Sequence, residues 1–220
     1  MQAFTTHRGR AALLDRADVN TDLIIPARYL KRVERVGYGP LLFADQRYVA
    51  GGAPLADDPE QHGAPDPAFP LNDPKVQGAS VLVVRKNFGC GSSREHAVWA
   101  VAQAGFRALI APVRGEGFAD IFEGNAFGNG LLPIELPQGD WDEVAALVRA
   151  GAEVAVDLRA STLTVHPDAG GLRTFGFAVP DAQRHRLLHG LDAIAETLLD
   201  ADSIRRHEEG APRWITPQPA

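Results

Sequence analysis

At 220 residues the chain has the length of one large domain or two small ones. Hydrophobic residues make up 45% and charged residues 23%, an ordinary globular balance, and no apolar run reaches the roughly 20 residues that span a bilayer. The formal net charge of −6 leaves no basic surplus to neutralise phosphates, which argues against a nucleic-acid partner.

The N-terminal residues Met1 to His7 hold no apolar signal segment, so a cytoplasmic location is expected. Cys90 is the only cysteine. An intrachain disulfide is therefore impossible, and one thiol cannot supply the three or four thiolates of an iron–sulfur cluster.

Arg8 to Leu14 reads as a first strand, followed by a polar turn at Asp15 to Thr21 and an extended segment at Asp22 to Pro26. Pro26 suits the first turn of a short helix over Ala27 to Val33. Gly37, Gly39 and Pro40 end it, and a further helical turn over Pro40 to Tyr48 would face Leu41, Leu42 and Phe43 inward. The glycines and prolines of 50–75 predict a long irregular loop, with no second domain.

From Ser80 the pattern becomes regular. A strand (Ser80 to Arg85) leads through a glycine turn into a helix (Ser93 to Ala104), Gly105 caps it, and Arg107 to Ala111 is the next strand. A helix at Phe118 to Phe127, a strand at Leu131 to Leu136 and an amphipathic helix from Asp140 follow. Three short alternating strands come next, at Glu153 to Leu158, Thr162 to His166 and Leu172 to Ala178. A helical segment broken near Gly190 and a charged helix over Asp202 to Glu209 precede a proline-containing tail. The sum is one mixed α/β domain over 1–220, parallel in the middle and antiparallel at the ends, with its irregular loop at about 50–76 and a helical segment and tail at about 181–220.

The chemistry concentrates in Phe88 to Glu95, where a turn with Gly89 and Gly91 runs into a helix start. One reading is structural: Ser92-x-x-Glu95 is a capping box, in which hydroxyl and carboxylate satisfy opposite orphan donors. That reading leaves the glycine pair and the cationic Arg94 unexplained, because a cation in a first helical turn opposes the helix dipole. A second reading is nucleotide binding. It lacks the third glycine, which Arg94 replaces, and an acid closing the next strand, where Ala111 and Pro112 stand. A third is catalytic: a serine held at a helix N-terminus acts as a base while exposed N–H groups stabilise its alkoxide, and an arginine beside it holds a carboxylate.

Asn87-Phe88-Gly89-Cys90-Gly91-Ser92-Ser93-Arg94-Glu95-His96-Ala97 resembles the swivel-domain motif of the aconitase superfamily. With Asp18-Val19-Asn20-Thr21-Asp22-Leu23-Ile24-Ile25-Pro26, it resembles the free-standing small subunits of the isopropylmalate isomerase branch. Phe118 to Phe122 with Asn125, Gly130 to Pro133 and Gly190 to Ile194 agree, so the resemblance runs from about residue 5 to about residue 200.

The resemblance implies an aconitase-type swivelling β/β/α domain with a mixed sheet and flanking helices. It implies a hydro-lyase that interconverts 2- and 3-isopropylmalate in leucine biosynthesis, active only with a large subunit. That subunit carries a 4Fe-4S cluster, and this chain binds none. By motif position Ser92 matches the family's serine base and Arg94 its carboxylate-binding arginine, with Ser93 and Gly91 lining the same turn. Arg32, in the loop Tyr29 to Arg35, matches a second carboxylate-binding arginine; a solvated face formed by Lys31, Arg32 and Arg35 is the competing reading. Homoaconitase, a citramalate isomerase and a non-catalytic anion- or nucleotide-binding domain are the rival functions.

The segment Val113-Arg114-Gly115-Glu116-Gly117 departs from the family's shorter link and predicts a longer, mobile loop beside the site. His185 and His189 stand four apart on a helix without a third ligand. His96 is read as packing or support, and Asp22 and Asp120 either orient the site or cap turns. Cys90 is read as a small turn residue.

Overall fold

The computed structural model describes residues 1–49, 63–112 and 115–210. Residues 50–62 of the loop expected at about 50–76, residues 113–114 and the tail from 211 lie outside the described residues.

Seven strands are formed: β1 (Thr6–Leu14), β2 (Val81–Val84), β3 (Ala108–Pro112), β4 (Leu132–Leu136), β5 (Glu153–Asp157), β6 (Thr162–His166) and β7 (Arg173–Gly176). They make one sheet in the order β4-β3-β2-β1-β5-β6-β7. The half from β4 to β1 is parallel, and the half from β1 to β7 is antiparallel. β1 joins the two halves because it is long. Its residues Ala11 to Leu14 pair with β2, while Thr6 to Arg10 pair with β5.

Burial explains the difference between the halves. Val81 to Val84 and Ala108 to Pro112 are buried throughout, as strands covered on both faces must be. Leu82 and Val84 enter one core with Ala12, Leu14 and Leu109, whereas Val81 and Val83 enter a second with Ala11, Ala108 and Ile110. β5 and β6 alternate buried with half-exposed residues and cover one core only.

Helices α3 (Glu95–Gln103) and α4 (Asp120–Gly128) pack on the first core through Ala97, Val98, Val101, Phe122 and Ala126. Helix α5 (Gln138–Arg149) packs on the second through Trp141, Val144 and Val148. The C-terminal segment is α6 (Asp181–His189), α7 (Ala193–Thr197) and α8 (Ala201–Gly210), with the break at Gly190 where the sequence places it.

Two expectations change. Asp22 to Pro26 is not extended: Thr21–Ile24 is a helical turn, α1, whose cap Asn20 accepts a hydrogen bond from the Leu23 N–H through Oδ1 at 2.9 Å. Ile24 and Ile25 are wholly buried in the first core, so consecutive apolar residues that resemble a strand are here a helical turn and its C-cap packed into that core. The segment after Pro26 is a 3-10 helix, Ala27–Lys31, and α2 (Ala44–Arg47) follows a further 3-10 turn. Leu41, Leu42 and Phe43 are buried as expected.

Candidate active site

Three loops leave the carboxyl ends of β1, β2 and β3, where open parallel sheets form their ligand crevices. The loops continue the strand order after the strands end. The Asp18 N–H donates to the Lys86 carbonyl at 3.1 Å, Gly89 to Val19 at 2.7 Å and Thr21 to Cys90 at 2.9 Å. On the other side Phe88 donates to Gly117 at 2.9 Å, and Ala119 donates to Phe88 at 3.0 Å. The middle loop, which carries the glycine turn, is thus held from both flanks. The Thr21 hydroxyl adds a bond to the Ser92 carbonyl at 2.8 Å.

Gly89 is required by this geometry. Its φ is +80°, and a Cβ there would lie 2.2 Å from Cγ of Phe122. Gly91, at φ +87°, turns the chain back toward α3 with room beside Asn20.

The turn opens onto a cavity of about 220 Å³ lined by Gly91, Ser92, Ser93 and Arg94 with Ala119 to Phe122 opposite. The first turns of α3 and α4 therefore meet at one hollow. Neither helix has a side-chain cap: Arg94 and Ala119 are the N-cap residues, and among the described residues no side chain bonds the first N–H groups. Two open N-termini and a guanidinium favour an anion there.

The capping box is not formed. α3 begins at Glu95, later than the sequence suggests, and the Glu95 carboxylate instead accepts from Asn129 Nδ2 at 2.9 Å. Ser92 and Ser93 are exposed, and no described residue bonds either hydroxyl. Arg94 is largely covered and pairs through Nη1 with Asp22 of α1. The anion that its position calls for is thus supplied in part by the chain itself, while no described residue takes its other N–H groups.

The structure brings Gly91, Ser92, Ser93 and Arg94 together and leaves Arg32 outside the cavity wall. Arg32 follows the 3-10 helix and donates to the Gly37 carbonyl at 3.1 Å. Asp22 and Asp120 join the site, the first on Arg94 and the second in the wall. Thr21 and Ile121 also line the hollow and were not singled out from sequence. Their signal was the pair of family motifs in which they stand.

The remaining candidates fall into place by packing. Burial, with Asp18 nearby, pushes the Cys90 thiol up and away from its thiolate form. His96 packs at 4.7 Å from the Trp99 ring and 5.5 Å from Tyr38, and burial pushes its pKa down, favouring the neutral imidazole. The His185 and His189 rings lie 4.2 Å apart, tilted by 38°. Among the described residues no group of three or more His, Cys, Asp or Glu is placed to hold a metal ion.

The model of the aconitase C-terminal domain matches residues 1–139, so the class of protein is the one whose swivel domain carries this corner. Over 210 residues the chain is 49% identical to the 3-isopropylmalate dehydratase small subunit of Teredinibacter turnerae, covering 94% of this chain and 93% of that protein. A crystal structure of 3-isopropylmalate dehydratase from Methanocaldococcus jannaschii superposes with a TM-score of 0.60 at 27% identity, covering 93% of this chain and 99% of that one. The chain belongs to the aconitase C-terminal domain family, in the branch of the 3-isopropylmalate dehydratase small subunits. Its mixed sheet with flanking helices is the aconitase-type swivel fold.

Proposed function

We infer that this chain is the small subunit of a 3-isopropylmalate dehydratase. It is a hydro-lyase of leucine biosynthesis that works with a separate large subunit as a single swivel domain. The observation that carries the reading is the hollow where two uncapped helix N-termini meet Arg94 and two unbonded serine hydroxyls. Such a corner suits a small carboxylate carrying a hydroxyl.

The family's 4Fe-4S cluster would have to be held elsewhere. The only thiol of this chain is Cys90, a turn residue held toward its neutral form. Its residues do not fit as ligands, and the partner large subunit is the expected carrier. When bound, such a cluster supplies an open iron for the substrate's hydroxyl and carboxylate.

On this chain Arg94 holds a substrate carboxylate with the N–H groups that Asp22 leaves free. Ser92 takes the proton from the substrate carbon during dehydration and returns it during rehydration. The first N–H groups of α3 lower the cost of its alkoxide. Ser93 and Gly91 shape the turn around the same carboxylate.

Assembly with the cluster-bearing partner and turnover of 2-isopropylmalate, homoaconitate and citramalate test the reading. Turnover of 2-isopropylmalate well above the other two is expected. Preference for either of those would move the assignment to a related hydro-lyase. Tight nucleotide binding by this chain without turnover in the complex would support an anion-binding domain instead.

A further inference from the structure

The three loops of the site are zipped as parallel neighbours, but the series has an open side. The loop after β3 is bonded on one flank to Asn87 and Phe88, through the Glu116 and Gly117 carbonyls at 2.8 and 2.9 Å. On its other flank β4 provides no fourth loop, because it ends at Leu136 and turns through Pro137 into α5. The unpaired N–H groups of that flank go to a side chain instead. Glu135, next to last in β4, accepts from the Gly115 N–H at 2.5 Å through Oε2 and from the Gly117 N–H at 2.8 Å through Oε1.

Glu135 is half-buried, and no described cation pairs with it. Its charge is felt by a neighbouring carboxylate: burial, then the charges of Glu135 and Asp120, push the Glu123 carboxyl up. An acid beside another acid, with no described cation on it, is unfavourable unless its hydrogen bonds compensate. Gly117 records how close the contact is. A Cβ there would lie 2.7 Å from the Ala111 Cβ and 2.9 Å from Oε1 of Glu135. Two residues beyond Gly117 the chain enters the cavity wall at Ala119 and Asp120.

We propose that Glu135 is a positioning residue for this active site, a side-chain substitute for the absent fourth loop that sets the wall opposite Ser92 and the register of Phe88 and Gly89. The carboxylate fixes Gly115 and Gly117, and so the Glu116 and Gly117 carbonyls that hold Asn87 and Phe88, and Phe88 passes the register to the glycine turn. It touches neither substrate nor the reacting atoms. The inference rests on the reading of the hollow as the catalytic site.

Glu135→Ala and Glu135→Gln, made in the full-length chain, separate this role from a merely structural one. In the chain alone, amide exchange at Gly115, Gly117, Asn87 and Phe88 rises at least about tenfold in Glu135→Ala, while Leu82 and Ile110 keep their protection. Assembled with the cluster-bearing partner, that variant loses about tenfold or more in kcat, with KM within about twofold and unchanged subunit affinity. Glu135→Gln falls between the two, since one oxygen still accepts while the amide N–H groups cannot.

Wild-type exchange and wild-type kcat in Glu135→Ala would overturn the proposal, as would a loss of turnover that only follows a loss of assembled complex. Should Glu135→Ala fail to fold, wild-type exchange and kcat in Glu135→Gln would overturn it equally. Ser92→Ala runs beside them: if it keeps full turnover the site reading fails, whereas an inactive Ser92→Ala with a normal Glu135→Ala sinks the Glu135 role alone.

Discussion

Arg94 shows what a single residue reveals and what it hides. Its place at a helix start marks it as paired with an anion, by dipole sign alone. That the standing partner is Asp22, far back in the chain on α1, requires the fold. Arg94→Lys in the assembled enzyme should raise KM about tenfold or more and lower kcat, because a point charge replaces a planar fork; unchanged kinetics would remove it from carboxylate binding. For Ser92→Ala, kcat should fall about a hundredfold or more with KM nearly constant, as for loss of a general base. The same variant carries a stability test. A capping serine would cost about 1 kcal/mol on truncation, but Ser92 caps nothing. Its urea midpoint should match wild type, and a clear drop would restore the capping box.

At the scale of elements, the strand, turn and helix around the site were legible because each has a local cause. Val81 to Val84 is a continuous apolar run, and Gly89 and Gly91 punctuate it. The start of α3 was misjudged because Ser92, Ser93 and Glu95 satisfy a capping pattern whose hydroxyls the fold leaves free. The turn of α1 is not legible in sequence because its apolar run, Leu23 to Ile25, reads as a strand, whereas tertiary packing buries Ile24 and Ile25 together in the first core. Gly89 tests the element directly. Gly89→Ala should cost at least about 2 kcal/mol, from the left-handed backbone and the collision with Phe122. Urea denaturation reads the loss, and a variant within about 0.5 kcal/mol of wild type would mean that the turn shifts at little cost.

For the whole molecule, two cores on opposite faces of one sheet hold the site loops level. Trp141, 2% exposed, is the largest side chain of the second core. Trp141→Ala should cost about 3–5 kcal/mol in equilibrium unfolding, and a loss under about 1 kcal/mol would mean that the core collapses around the gap. Asp15 ties the end of β1 to Arg85 after β2 and to Arg149 at the end of α5. The Arg85 guanidinium, with help from Arg149, holds its carboxyl below the usual carboxylate range. A lowered folded pKa contributes stability above the unfolded value and loses it as pH falls through the folded one. The urea-midpoint difference between wild type and Asp15→Asn should therefore be constant from about pH 8 to about pH 5 and shrink below about pH 4. A difference that grows on acidification would contradict the sign. Its size is modest, because both partners are solvent-screened.

The sequence alone determined the strands buried on both faces, the glycine turn and the family motifs, and it singled out Ser92 and Arg94 as candidates. Each rests on local pattern, on residue chemistry or on motif spacing. Only the tertiary structure decided that α3 and α4 point their open N-termini into one hollow, that Asp22 pairs with Arg94, that Arg32 stands outside the wall, and that Glu135 closes the third loop. Those facts depend on which strands lie side by side. That order is set by burying two cores at once, a property of the whole chain that no stretch of it carries.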